Sequence, residues 1–144
     1  MRIKANVKVD TKKIPLAVSA ALAASYQAVV DCGQDLARAS SGAAPHDAGI
    51  LEKSYTVTPR KTANGGEVSV GYAAYENGFN YAIKMHEGSY NLGPGSRAKG
   101  GGTGMSGAKY EVGPKFLERP LRGEGDTYKE HIQDSVAKAL EAFE

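Results

Sequence analysis

Apolar and polar residues alternate strictly over residues 2–9. One side of this stretch carries Ile3, Ala5, Val7 and Val9, and the other carries Arg2, Lys4, Asn6 and Lys8. A period of two predicts a half-buried β-strand. Three cations on the polar side are typical of an edge strand, because charge discourages pairing with other chains.

Helical periodicity follows over residues 15–39. Pro15 suits the first turn of a helix, and Ser40-Ser41-Gly42 indicates its end. Alanine, the best helix former, fills much of the stretch. Large side chains recur every three, four or seven residues and predict one apolar stripe: Ile14, Val18, Leu22, Tyr26, Val29 and Leu36.

A second helix is predicted from about 127 to 143. Thr127 and Glu130 have the spacing of a capping box. The stripe repeats at spacings of four, four, four and three residues: Tyr128, Ile132, Val136, Leu140 and Phe143. This helix therefore has one face to bury against the rest of the domain.

Strand patterns lie between the two helices. Residues 43–53 read as a connector in which Asp47 caps a short turn through Ile50 and Leu51. Two alternating stretches, Tyr55–Thr58 and Val68–Tyr72, flank Asn64-Gly65-Gly66 and predict a β-hairpin. Residues Tyr81–His86 alternate as well and are interpreted as a short strand. The order of elements predicts one α+β domain over residues 1–144, with both helices packed on a small, mostly antiparallel sheet.

Residues 88–113 break this pattern, since they hold 9 of the 18 glycines and show no apolar period from Gly93 to Gly107. Ordering one backbone residue costs about 1–2 kcal/mol. We therefore expect a flexible, glycine-rich loop that becomes ordered only on contact with a partner.

Composition narrows the classes of function. The 18 basic and 16 acidic residues give a net charge of +2, too balanced to require nucleic acid or an anionic membrane as partner. Apolar runs are only a few residues long, so no membrane span is expected. The first residues do not resemble a signal peptide, so the protein is expected to stay in the compartment where it is made. A single cysteine, Cys32, excludes an internal disulfide and a cysteine-cluster metal site.

The sequence contains only weak candidates for catalytic, metal-binding or cofactor-binding residues. The three histidines, His46, His86 and His131, lack metal-ligand spacing. Residues 102–107 match G-x-G-x-x-G, but no buried strand precedes them, which argues against a dinucleotide site. We therefore expect no catalytic residue, no metal and no cofactor.

Three segments resemble one family. Residues 44–54, APHDAGILEKS, resemble a P-x-D-T-G-x-L-x-x-S signature. Residues 81–88, YAIKMHEG, are similar to Y-A-x-x-x-E-x-G-T, and residues 114–121, PKFLERPL, to P-x-P-F-L-R-P-A-L. All three occur in this order in the small tail-completion, or head–tail joining, proteins of long-tailed bacteriophages, also called neck or minor capsid proteins. The matched positions are Pro45, Asp47, Gly49, Leu51, Tyr81, Glu87, Gly88, Phe116, Leu117 and Pro120.

The resemblance implies a non-enzymatic virion protein. It implies a ring of identical subunits, expected to be a hexamer, between the portal or stopper proteins of the head and the tail tube or terminator. The protein would lie at the neck of the virion, and in the host bacterial cytoplasm during assembly. The glycine-rich segment would contact a neighbouring ring and could face DNA in the lumen, through the candidate interface residues Tyr90, Arg97, Lys99, Met105, Lys109 and Tyr110.

Other interpretations stay open. Within the same assembly, the chain could be a tail-terminator or head-completion ring. From another class, Arg97, Lys99, Lys109 and the basic first strand suggest a small nucleic-acid-binding module. A hydrolase that uses His86 and Glu87 is a third hypothesis, which predicts loss of activity in a His86→Ala variant.

Overall fold

A computed structural model describes residues 2–6, 15–46 and 49–144. Its elements follow in chain order: β1 (Arg2–Asn6), α1 (Pro15–Ala43), α2 (Ile50–Lys53), β2 (Tyr55–Thr62), β3 (Gly65–Tyr72), β4 (Tyr75–Glu76), β5 (Phe79–Asn80), α3 (Tyr81–Glu87), α4 (Pro94–Ala98), β6 (Gly102–Thr103), β7 (Lys109–Tyr110) and α5 (Glu118–Glu141).

The main sheet has three antiparallel strands in the order β1–β3–β2. Ile3 lies opposite Val68, and Val57 lies opposite Val70, so the apolar residues of all three strands share the face that meets α1. The predicted hairpin is confirmed, and β1 is an edge strand as its pattern indicates. Residues 7–9 of the predicted first strand lie outside the described residues.

Helix α1 is four residues longer than predicted. The residues that were expected to end it, Ser40-Ser41-Gly42, instead contact other parts of the domain. The Ser40 hydroxyl bonds to the carbonyl of Ala37 and to the Tyr72 hydroxyl, and the Ser41 hydroxyl donates to the carbonyl of Glu52. With these hydroxyls satisfied, they do not compete with the helical backbone. Gly42 lies where the backbone of Gly102 passes closely.

The buried side of α1 differs from the predicted stripe. Val29 and Leu36 are buried, but Val18, Leu22 and Tyr26 are only half-buried, and Ile14 lies outside the described residues. Small side chains take their place in the interior: Ala17, Ala21, Ser25, Ala28 and Cys32. Small residues let the neighbouring backbone approach, as where Gly65 packs against Ser25.

Residues 81–87 form a helix, so the predicted strand there is wrong. The Asn80 side chain accepts hydrogen bonds from the backbone amides of Ala82 and Ala74, at 3.2 and 3.0 Å. It therefore acts as an N-cap that also fixes the preceding turn.

Helix α5 begins nine residues earlier than predicted. Pro120 occupies its first turn, where a missing amide costs no hydrogen bond. Thr127 and Glu130 lie inside the helix, so the capping-box prediction is wrong. The predicted stripe extends back from Tyr128 to Glu124 and Pro120, all three of which are buried.

Together these elements confirm the predicted fold class, α+β with a long N-terminal and a C-terminal helix on a small antiparallel sheet. Helix α1 contacts all three strands of the main sheet, and α5 makes its main contacts with α1. The two helices run antiparallel, since Asp31 meets His131 while Asp35 meets Tyr128.

One helix of the described part, α1, is long and apolar enough to cross a membrane by length and composition alone. The expectation that no segment spans a membrane rested on the short uninterrupted apolar runs, and it stays a prediction. In the structure, however, α1 is the central core helix, with the sheet and α5 packed against it.

Candidate interaction surface

The three segments that carry the family resemblance meet at one end of the molecule, where α1 ends and α5 begins. The backbone amide of Lys115 donates to the carbonyl of His86 at 2.7 Å, and Lys115 forms an ion pair with Glu87. The Ser41 hydroxyl joins α1 to the first segment through the carbonyl of Glu52.

Most matched motif residues have structural roles there. Leu51, Phe116, Leu117 and Pro120 are buried, and Gly49 precedes α2 with a left-handed φ of 76°, a conformation that glycine adopts without strain. Tyr81 begins α3, which Gly88 ends. Pro45 lines a groove beside Tyr81, and Asp47 lies outside the described residues.

His86 is held by structural contacts. Its Nε2 atom accepts a hydrogen bond from the backbone amide of Glu118 at 3.3 Å, and its Nδ1 atom lies 3.1 Å from Glu87. Its ring packs edge-to-face on Phe116, with 5.1 Å between the centroids. These contacts join α3 to the start of α5 and give His86 a structural role.

The glycine-rich segment is attached to the helices by two buried carboxylates. Glu124 accepts hydrogen bonds from the Ser106 amide and hydroxyl, at 2.6 and 2.5 Å, and from the Tyr110 hydroxyl at 2.6 Å. Asp35 accepts from the Met105 amide at 2.8 Å. Burial and the bond to Glu124 raise the pKa of Tyr110.

The glycine-rich segment, residues 88–113, makes defined contacts with the rest of the domain. The segment contains α4 and the β6–β7 ribbon, and its glycines allow backbone to pack directly on α1 and α5: a Cβ at Gly102 would overlap the Ala39 carbonyl, and one at Gly104 would overlap the Glu124 carboxylate. Its mobility in solution stays a prediction.

Lys99 closes the C-terminal end of α1. Its Nζ atom donates to the carbonyls of Ser41 and Ala44, at 3.0 and 2.5 Å, and lies 2.7 Å from a Glu52 oxygen. Burial raises the pKa of Glu52, but the hydrogen bonds from Lys99 and His46 outweigh it, so this pKa lies below its usual value. A cation at a helix C-terminus also complements the helix dipole.

Most of the other candidate interface residues make contacts within the domain. The Tyr90 hydroxyl donates to the carbonyl of Met85 at 2.7 Å, and Arg97 Nε donates to the carbonyl of Leu92 at 2.9 Å. Met105 packs against the core. Among the candidate interface residues, all of which the structure describes, Lys109 alone is exposed and has no side-chain hydrogen bond or ion pair.

An apolar surface at the same end was not singled out from the sequence. Ile50, Tyr75, Phe79 and Ile83, on α2, the β4–β5 ribbon and α3, are each more than half exposed. A groove of about 490 Å³ runs between α2 and α3 and is lined by Ile50, Tyr75 and Met85. We call this the end groove. A smaller groove of about 280 Å³ lies beside Ile83, between α3 and Tyr72.

The surroundings of Cys32 disfavour the reactive thiolate form of its side chain. Cys32 is buried beside Asp31 and Asp35, and burial together with these carboxylates raises the pKa of its thiol to about 12. No group of three or more His, Cys, Asp or Glu side chains within the described ranges could hold a metal ion.

No protein family, curated protein or solved structure matches this chain. Exposed apolar side chains lie at the end of the molecule where α2, the β4–β5 ribbon and α3 meet.

Proposed function

We propose that this chain is a non-enzymatic structural subunit of a bacteriophage neck, which completes the tail end and joins it to the head. The observation that carries the proposal is the group of exposed apolar side chains Ile50, Tyr75, Phe79 and Ile83 at one end of the domain. Large apolar side chains grouped in this way are typical of protein–protein contact surfaces.

The clustering of the three family-like segments supports the phage assignment. Residues 55–80 separate the first segment from the second, and residues 89–113 separate the second from the third. Hydrogen bonds nevertheless tie the second to the third around His86. In the proposed role these segments build the rigid base that holds the apolar surface, and the β6–β7 ribbon lies beside α5, available to an adjacent ring.

The nucleic-acid hypothesis is less favoured because Lys99 is already engaged. Its ammonium group bonds to two carbonyls and to Glu52, so it would have to abandon a helix end to reach a phosphate. A tail-terminator or head-completion ring remains the alternative within the same assembly.

Electron microscopy of the purified chain, alone and mixed with phage tails, tests the proposal. We expect annular particles or added density at the head-proximal end of the tails, and light scattering should report a multiple of 15.1 kDa. A protein that adds no density to tails and instead binds DNA tightly, with a steep salt dependence, would contradict the neck assignment.

A further inference from the structure

Two exposed lysines lie on α2 and α3, the helices that border the end groove. Lys84 lines it and Lys53 lies on α2 beside Ile50, and both are exposed. Neither lysine makes an ion pair within the part of the chain that the structure describes. Glu76, which also lines the groove, offsets part of this charge.

The opposite end of the molecule carries complementary chemistry. Helix α1 has 29 residues and α5 has 24, which corresponds to about 43 and 36 Å at 1.5 Å per residue. Because the helices are antiparallel and α5 begins beside the end groove, its last turns lie at the far end. Phe143 is 38% exposed there, next to the half-buried Leu140.

Two acidic residues flank this aromatic side chain, and Lys138 in the last turn of α5 offsets part of their charge. Glu141 and Glu144 flank Phe143 and are exposed, and neither forms an ion pair among the described residues. The carbonyl groups of the last helical turn add partial negative charge at the same place. We call Leu140, Glu141, Phe143 and Glu144 the α5 tip.

We propose that the α5 tip of one copy docks in the end groove of the next copy, with Phe143 against Ile50 and Tyr75, and Glu141 and Glu144 facing Lys53 and Lys84. This inference rests on the proposed function, since it names the partner of that apolar surface as a second copy of this chain. Both surfaces carry exposed apolar side chains, and the charged residues proposed to meet, Lys53 and Lys84 with Glu141 and Glu144, are of opposite sign.

The contact joins unlike surfaces at opposite ends, and is therefore heterologous. Repetition of a heterologous contact gives a ring if the rotation closes and a filament if it does not. A two-fold dimer, in which identical patches meet, is not the expected product.

Two single variants test this polarity. Phe143→Asp disrupts the α5 tip and leaves the end groove intact. Ile50→Asp disrupts the end groove and leaves the α5 tip intact. Each variant alone should be monomeric in light scattering at concentrations where the parent is oligomeric. An equal mixture should form a dimer and nothing larger, because only one productive contact remains between the two variants.

Thr58→Asp is the matched control, because it places the same charge on an exposed position of β2 and should keep the oligomeric mass of the parent. Circular dichroism checks that all variants fold, and both substituted side chains are exposed. Retention of the parent mass in either variant, or a mixture that stays monomeric, overturns the inference.

The outcome is separable from that of the proposed function. A parent chain that remains a monomer at every concentration also overturns the self-contact, yet the neck assignment stands if the same protein adds density to tail ends. Conversely, a complementation dimer without any tail binding supports the self-contact and removes the neck assignment.

Discussion

The hydroxyl of Tyr110 donates a 2.6 Å hydrogen bond to the carboxylate of Glu124, which is fully buried on α5. Ser106 supplies two further donors to the same carboxylate. Three donors from the glycine-rich segment thus surround one buried carboxyl group, and this arrangement fixes the β6–β7 ribbon to the helices.

Replacing Glu124 with Gln should loosen this attachment. Glutamine keeps the shape but has one acceptor oxygen instead of two, so a donor of Ser106 or Tyr110 loses its partner. Hydrogen bonds to charged groups contribute about 1.5–3 kcal/mol, and we expect a loss of this order in urea unfolding, with faster amide exchange over residues 104–110. Glu130→Gln, an exposed position of the same helix, should change stability by less than about 0.5 kcal/mol. Unchanged exchange in the Glu124 variant would show that this carboxylate does not hold the segment.

Gly102→Ala should be strongly destabilising, because the new methyl group would overlap the Ala39 carbonyl on α1. Forcing extra volume into a packed site costs about 1–3 kcal/mol. Gly100→Ala is the matched control, since the space around Gly100 is open and its φ is not left-handed. Thermal unfolding of both variants gives the comparison, and equal midpoints would mean that β6 does not pack on α1 as described.

Phe116→Ala should remove a large part of the stability of the domain. Phe116 is buried and packs edge-to-face on Tyr72, with 5.1 Å between the centroids. Truncation of a buried phenylalanine costs about 3–5 kcal/mol. Phe79→Ala makes the same chemical change at a position that is 58% exposed, and we expect its urea midpoint to stay close to that of the parent. Similar losses in both variants would refute the assigned burial of Phe116.

Acid should weaken the bond between Lys99 and Glu52. The folded-state pKa of Glu52 lies below its usual value, so its contribution is complete above the unfolded pKa of about 4.3 and is lost as pH falls through the lower folded value. Lys99→Gln should therefore reduce stability more at pH 7 than at pH 3. The exposed Lys109→Gln is the control, and urea unfolding at both pH values provides the measurement. A difference between parent and Lys99→Gln that does not narrow in acid would argue against the ion pair.

The spacing of apolar residues predicted the elements whose structure depends on neighbouring residues in the sequence. The alternation around Val57 and Val70 predicted the hairpin, because one face of each strand must be buried. Pro15 indicated the start of α1 because proline fits the first turn of a helix, and the order of the elements predicted the α+β class. The sequence pattern failed at Tyr81–Glu87, where six alternating residues fit both periods and the side chain of Asn80 decides for a helix.

Long-range contacts explain what the sequence did not reveal. Lys99 looked like a free cation of a flexible loop, but its partner carbonyl at Ala44 is 55 residues away. Isoleucine is usually buried, so Ile50 and Ile83 look like core residues in the sequence. The sequence pattern does not show that both side chains are exposed to solvent. A signal that the sequence analysis missed was the position of Glu124, four residues before Tyr128 and in line with the apolar stripe of α5.

The seclusion of Cys32 has a practical consequence for studying any assembly of this chain. Its sulfur lies against the Tyr128 carbonyl at 3.8 Å, within the contact between α1 and α5, and its raised thiol pKa keeps it protonated at neutral pH. We therefore expect that maleimide reagents do not label Cys32 in the native fold. A dye or spin label attached through a new surface cysteine would thus report from one defined point on each copy, with the natural thiol left in place.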